Sequence, residues 1–289
     1  MRALVLSGGG SAGSFQCGAL KYLFEDLGNT YQMFTGVSVG ALNASWMAQY
    51  ALADQKAGYQ ALYNLWYNIQ DSTVKKNWCP WNVLKGLWTD SIYNSQPLID
   101  LIHKNVSLDK IRASGNKVAV SATEICTGKY QTFTQDDGYF IDSILASSSF
   151  PMGLCPTVIN GIKYTDGGVR HSTPINEAIA MGATDLDIVL CGPKEPSSKF
   201  NDVDVVTYGL RCFDYMTDQM VQSDIKMLFM YNRLVKAGLQ PDKKFLNVKI
   251  IRPSSDLPNS SLSFDNATMR VLMQQGYDQC KLQYNASNK

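Results

Sequence analysis

The sequence predicts an α/β protein: a three-layer α/β/α sandwich around a mostly parallel sheet, with a helical, aromatic-rich cap. Three observations carry this. Ala3 to Leu6 is a short continuous apolar run, as a central parallel strand requires, and Leu186 to Cys191 is a further apolar strand. Segments with helical spacing alternate with such runs. Glycine-rich turns join strand to helix at Gly8–Gly13 and again at Gly36–Gly40.

Element by element, Gly13 to Leu27 reads as a helix, with Phe15, Ala19, Leu20, Leu23, Phe24 and Leu27 at helical spacing and Gly28-Asn29 as its stop. Gln32 to Val37 is a second strand and Ala41 to Ala53 a second helix. Residues of about 54–115 read as a mostly helical insert holding Trp66, Trp78, Trp81 and Trp88, four of the five tryptophans. Within it, 75–93 interleaves tryptophan with lysine. That pattern suits a lid or a membrane-touching flap. The spacing also fits one buried face of a helical cap, which is the favoured reading. Lys117 to Glu124 and Tyr130 to Thr134 pair across Thr127-Gly128, and Phe140 to Ser147 is a short helix. Thr157 to Tyr164 is a hairpin, because Asn160-Gly161 supplies the two positive-φ residues of a type I′ turn. Phe245 to Ile251 is a further strand, and Phe213 to Ala237 and Phe264 to Leu282 are long helices.

The 289 residues suffice for one large domain or two small ones. With 26 basic and 25 acidic residues, bulk charge gives no case for nucleic acid as a partner. The opening apolar run breaks too soon for a signal peptide, and no window approaches the roughly 20 apolar residues of a membrane span. The expectation is a cytoplasmic protein, soluble as made, with peripheral contact to a membrane. Seven scattered cysteines, an odd number without C-x-x-C or a Cys/His cluster, point to reduced thiols rather than disulfides or a metal site.

Gly36-Val37-Ser38-Val39-Gly40 is G-x-S-x-G between a strand and a helix, the turn that lifts a serine hydroxyl out of a sheet. Val39 follows the serine at a helix N-terminus, where free N–H groups favour negative charge. Gly8, Gly10 and Gly13 match G-x-G-x-x-G and could equally bind a dinucleotide. Two features favour an oxyanion hole: no acidic residue closes the second strand, and a nucleophile elbow ends that neighbouring strand instead. For a base there are two histidines. His103 lies in an apparent helix with a surface role, and His171 follows Asp166-Gly167-Gly168. Asp166, on a glycine turn, can accept a hydroxyl proton without an imidazole.

These residues resemble the patatin-like phospholipases, which pair a serine in G-x-S-x-G with an aspartate in D-G-G or D-G-A behind an N-terminal glycine-rich motif. The chain has Gly8-Gly9-Gly10-Ser11-Ala12-Gly13, Gly36-Val37-Ser38-Val39-Gly40 and Asp166-Gly167-Gly168 in that order. Ala146-Ser147-Ser148-Ser149-Phe150-Pro151 resembles the family's A-S-x-x-x-P, and Phe264 to Tyr277 its closing helix. The resemblance covers about 1–285 and implies one such domain over 1–289. It implies Ser38 as nucleophile, Asp166 as base, and oxyanion donors from Gly9, Gly10 and Ser11, beside Val39. It implies acyl transfer from a phospholipid or other acyl ester, without metal or organic cofactor. Ala12 stands where the family usually has Arg or Lys, and Ser172 where many members have Asn. An acyltransferase using the same pair, and a non-catalytic nucleotide- or lipid-binding module built on Gly8–Gly13, remain as alternatives.

Overall fold

The computed structural model describes residues 1–77, 90–196, 205–257 and 262–286. Trp78, Trp81 and Trp88 of the aromatic stretch lie outside the described residues. In chain order the elements are β1 (Arg2–Leu6), α1 (Gly13–Lys21, continued by a π turn over Tyr22–Asp26), β2 (Met33–Gly36) and α2 (Val39–Ala48). The insert follows as α3 (Gln55–Asn68), α4 (Asp71–Val74), β3 (Lys76–Asn77), β4 (Tyr93–Asn94), α5 (Gln96–Asn105) and α6 (Leu108–Ser114). Then come β5 (Lys117–Glu124), β6 (Tyr130–Thr134), α7 (Phe140–Ser147), β7 (Thr157–Ile159), β8 (Ile162–Asp166) and α8 (Ile175–Ala180). The chain continues through β9 (Asp185–Val189), α9 (Val205–Lys236), β10 (Asn247–Ile251) and α10 (Asn266–Ala286).

Local chemistry explains where the elements stop. Gly28 is left-handed at φ 63°, and Asn29 N–H returns to Leu23 O at 2.9 Å, closing the first helix at the expected place. Asn160 and Gly161 both have positive φ, as the hairpin turn demands. The second helix starts two residues before Ala41, because Ser38 O already accepts from Ala41 N–H at 2.9 Å. It stops at Ala48 rather than Ala53. There the Ala48 carbonyl accepts from Ser114 Oγ at 2.7 Å and Asn116 Nδ2 at 3.2 Å, which replace the next helical turn.

The sheet runs β10-β9-β1-β2-β5-β8-β7. β10, β9, β1, β2 and β5 are mutually parallel; β6 and β8 run antiparallel to β5. Residues of β1 alternate between two cores, as strand geometry requires. Leu4 and Leu6 join α1, α2, α3 and α10, whereas Ala3 and Val5 join Ile175 and Ala178 of α8 and Ile225 and Leu228 of α9. Helices therefore cover both faces and give three layers. The insert is no separate body where described: Tyr59, Leu62, Trp66, Leu98 and Ile102 belong to the same core as α2. α1 and α10 approach closely enough that a Cβ on Gly18 would fall 1.8 Å from Met273 O, and one on Gly276 2.0 Å from Phe15 O.

One register positions the site. β2 pairs with β5 as far as Gly36, opposite Val120. β8 takes up the same edge of β5 from the other direction, ending with Asp166 opposite Ala122. β6 holds the opposite edge, since it pairs with Ala119, Val120, Ala122 and Thr123. The ends of β2 and β8 thus face each other across two residues of β5.

Candidate active site

Ser38 occupies the turn between β2 and α2 at φ 57°, ψ −129°, a conformation that costs a non-glycine residue free energy and persists only where neighbours impose it. The turn is tight because two glycines let backbones meet. A Cβ on Gly36 would lie 2.0 Å from Gly40 O, and one on Gly40 2.3 Å from Leu6 O. Val39 opens α2, so its N–H belongs to the first turn, which lacks intrahelical partners.

The Gly8–Gly13 turn arches over this serine. Gly8 N–H donates to Ser172 O at 2.9 Å, and the position a Gly8 Cβ would take is 3.3 Å from Ser38 Cβ. Gly9 and Gly10 have φ of 154° and 55°, and Gly10–Ala12 forms a 3-10 turn leading into α1 at Gly13. Gly13 packs on Val39 and Trp66, which joins the two turns. A buried hydrogen-bond chain fastens them further. Trp66 Nε1 donates to Asn43 Oδ1 at 2.8 Å, Asn43 Nδ2 to Gln16 Oε1 at 3.0 Å, and Gln16 Nε2 to Ser7 O at 2.7 Å. Asn43 belongs to an N-x-S triplet without significance as such, and neither it nor Gln16 stands out as a site residue in the sequence, although polar residues on otherwise apolar helices are a readable signal.

Asp166 is 2% exposed. Its N–H donates to Ser149 O at 3.0 Å, and its Oδ1 accepts from Gly168 N–H at 2.8 Å. Gly167 lies against the Ser121 carbonyl of β5. Oδ2 is buried without a hydrogen-bond partner. Burial pushes the carboxyl up to about 7, with the Ser38 hydroxyl and the Gly168 N–H pulling it back down. Two uncharged donors thus favour the ionised form against the cost of burial.

The two histidines and Cys191 have other surroundings. His171 is 43% exposed; its Nδ1 lies 3.8 Å from Asp224 Oδ1 and its ring meets Tyr130 edge-on, so its partners are on α9 and β6. His103 is exposed on α5. Cys191 packs beside Gly9, but burial pushes its thiol up to about 12. Among the described residues no group of His, Cys, Asp and Glu could hold a metal ion. No described helix is long and apolar enough to cross a membrane.

An apolar cleft begins at Ser38 and Gly10. Val39, Leu42 and Trp46, on one face of α2, form one wall, and Leu62 of α3 with Leu98 and Leu101 of α5 form the other. A nucleophilic hydroxyl, a buried carboxyl and clustered backbone donors at the end of an apolar cleft can perform acyl transfer on an ester with a hydrophobic tail.

Comparison with known proteins places the chain in a family. The family model for patatin-like phospholipases matches residues 4–179. The chain is 25% identical over 201 residues to the uncharacterized protein YjjU of Escherichia coli, covering 67% of this chain and 52% of that protein. It is 25% identical over 280 residues to the human 1-acylglycerol-3-phosphate O-acyltransferase PNPLA3, covering 91% and 54%. The chain thus spans about half the length of these curated relatives. Among solved structures, VipD from Legionella pneumophila matches with a TM-score of 0.50 at 14% identity, over 99% of this chain and 67% of that one, a likeness of fold. On the matched family model, which covers β1 through α8, the chain belongs to the patatin-like phospholipase family.

Proposed function

We propose that the chain hydrolyses fatty-acyl esters of lipids through Ser38 and Asp166. The observation that carries this reading is the meeting of a strained serine and a buried carboxyl, pushed up to about 7, at the mouth of an apolar cleft. Ionised Asp166 takes the Ser38 proton as Oγ attacks the ester carbonyl. The oxyanion collects N–H donors from Gly9, Gly10, Ser11 and Val39. The alcohol leaves with the proton, and the acyl group stays on Ser38 with its chain in the cleft. Water, deprotonated by Asp166, then releases the fatty acid. The lipid is met by peripheral contact with its membrane.

Labelling with a fluorophosphonate ester tests this reading. Wild type is expected to be labelled at Ser38 and to turn over long-chain p-nitrophenyl esters; Ser38→Ala is expected to do neither. Labelling elsewhere, or turnover by Ser38→Ala, would remove the nucleophile. A second reading, transfer of the acyl group to an alcohol, draws on the name of the human relative. Product analysis with a lysolipid acceptor present separates the two: free fatty acid supports hydrolysis, and a newly acylated lipid supports transfer.

A further inference from the structure

Three successive serines at the end of α7 hold both members of the candidate pair. Ser147, Ser148 and Ser149 are 0%, 5% and 1% exposed. Ser38 N–H donates to Ser147 Oγ at 3.0 Å. Ser148 Oγ donates to Ile144 O at 2.9 Å and lies 3.3 Å from Ser38 O. Ser149 O accepts from Asp166 N–H at 3.0 Å and from Thr165 Oγ1 at 2.8 Å. One helix end therefore touches the elbow and the end of β8 within three residues.

The Ser38 amide has a particular need. β2 ends at Gly36 and α2 begins at Val39, so neither a sheet ladder nor a helical turn offers it an acceptor. Ser38 is 8% exposed, so water does not readily replace one. A buried N–H without an acceptor is costly, and the unusual φ and ψ of Ser38 give the turn a reason to relax if the bond is lost. We propose that Ser147 is a positioning residue: its Oγ holds the Ser38 amide, and through it the direction of the Ser38 side chain toward Asp166. This inference rests on the reading of Ser38 as nucleophile.

Ser143 supplies a matched control. It is one turn earlier on α7 and 0% exposed, and its Oγ donates to Phe140 O at 2.6 Å, within its own helix. Ser147→Ala and Ser143→Ala, made in the full chain, delete the same atom from equally buried positions. Melting temperature, kcat and KM on a p-nitrophenyl ester, and hydrogen exchange at the Ser38 amide are measured for both. Both variants are expected to lose similar thermal stability. Ser147→Ala alone is expected to lose about 10- to 100-fold in kcat with KM within about twofold, and to exchange the Ser38 amide faster. Ser147→Cys keeps the volume but offers a weak acceptor, and reads the same loss if the alanine variant fails to fold. Ser147→Thr, which keeps the oxygen, is expected to recover most of kcat. Equal kcat in Ser147→Ala and Ser143→Ala, with Ser38→Ala inactive, overturns the positioning role and leaves the nucleophile standing. Wild-type turnover by Ser38→Ala overturns both.

Discussion

Asp166 and Asp187 are both 2% exposed, yet their surroundings differ in kind. Asp187 Oδ2 accepts from Arg2 Nε at 3.0 Å and from Tyr31 OH at 2.7 Å. Burial pushes its carboxyl up, while Arg2, Tyr31 and Lys249 counter the rise. Arg2 is held in turn by Tyr284 OH, and its guanidinium lies 5.4 Å from the Tyr31 ring centroid. Asp166 has two uncharged donors, the Gly168 N–H and the Ser38 hydroxyl, and no cation among its described partners. At one buried aspartate a fixed cation opposes the effect of burial and ties the carboxyl into the scaffold. The other can change protonation near neutrality, which is what a general base requires.

Exchanging each carboxyl for an amide probes that contrast most strongly. Asp166→Asn is expected to lower kcat by roughly 10²- to 10⁴-fold with its circular dichroism unchanged, because an amide cannot take the Ser38 proton. Asp187→Asn should show the reverse: near-normal kcat per folded molecule, but a loss of about 3 kcal/mol in denaturant unfolding. Breaking a buried pair sets that magnitude, and the 30% exposure of the Arg2 side chain keeps it at the lower end.

Titration sharpens the contrast further. Turnover should rise with pH through about 7 as Asp166 ionises. Its folded value lies above its ordinary 3.8, so the native state retains a proton that the unfolded chain gives up. This destabilises wild type progressively from about pH 4 to about pH 7 and by a constant amount above. Asp166→Asn is therefore expected to melt higher than wild type at pH 8, with the gap closing toward pH 4. The smallest effect belongs to His171→Ala, whose partners are Asp224 and Tyr130. Its kcat should stay within about twofold of wild type; a loss as large as that of Asp166→Asn would restore a histidine base.

The strands and turns of the site were legible because their signals are local. Ala3–Leu6 is a continuous apolar run, Gly36 and Gly40 mark backbone contacts, and Asn160-Gly161 fixes its hairpin by φ alone. The meeting of Ser38 with Asp166 was approached through a family resemblance, since its physical cause is long-range. It follows from two strands converging head-on along one edge of β5, and nothing within a window of sequence encodes that. The triple serine at 147–149 was read only as part of a motif, because its partners lie about 110 and 17 residues away. The short α8 and the β3–β4 pair carry too few residues for periodicity to register. The early end of α2 is imposed by side chains that arrive from Ser114 and Asn116.

The close crossing of α1 and α10 also ties the two ends of the described fold to the site. Added side-chain atoms at Gly18 or Gly276 would meet backbone, the Met273 and Phe15 carbonyls, rather than a side chain that could swing aside. Neither glycine can be enlarged without parting the two helices. The Gly8–Gly13 turn runs directly into α1, so a change on α10 would be felt beside Ser38 although α10 contributes no residue to that turn.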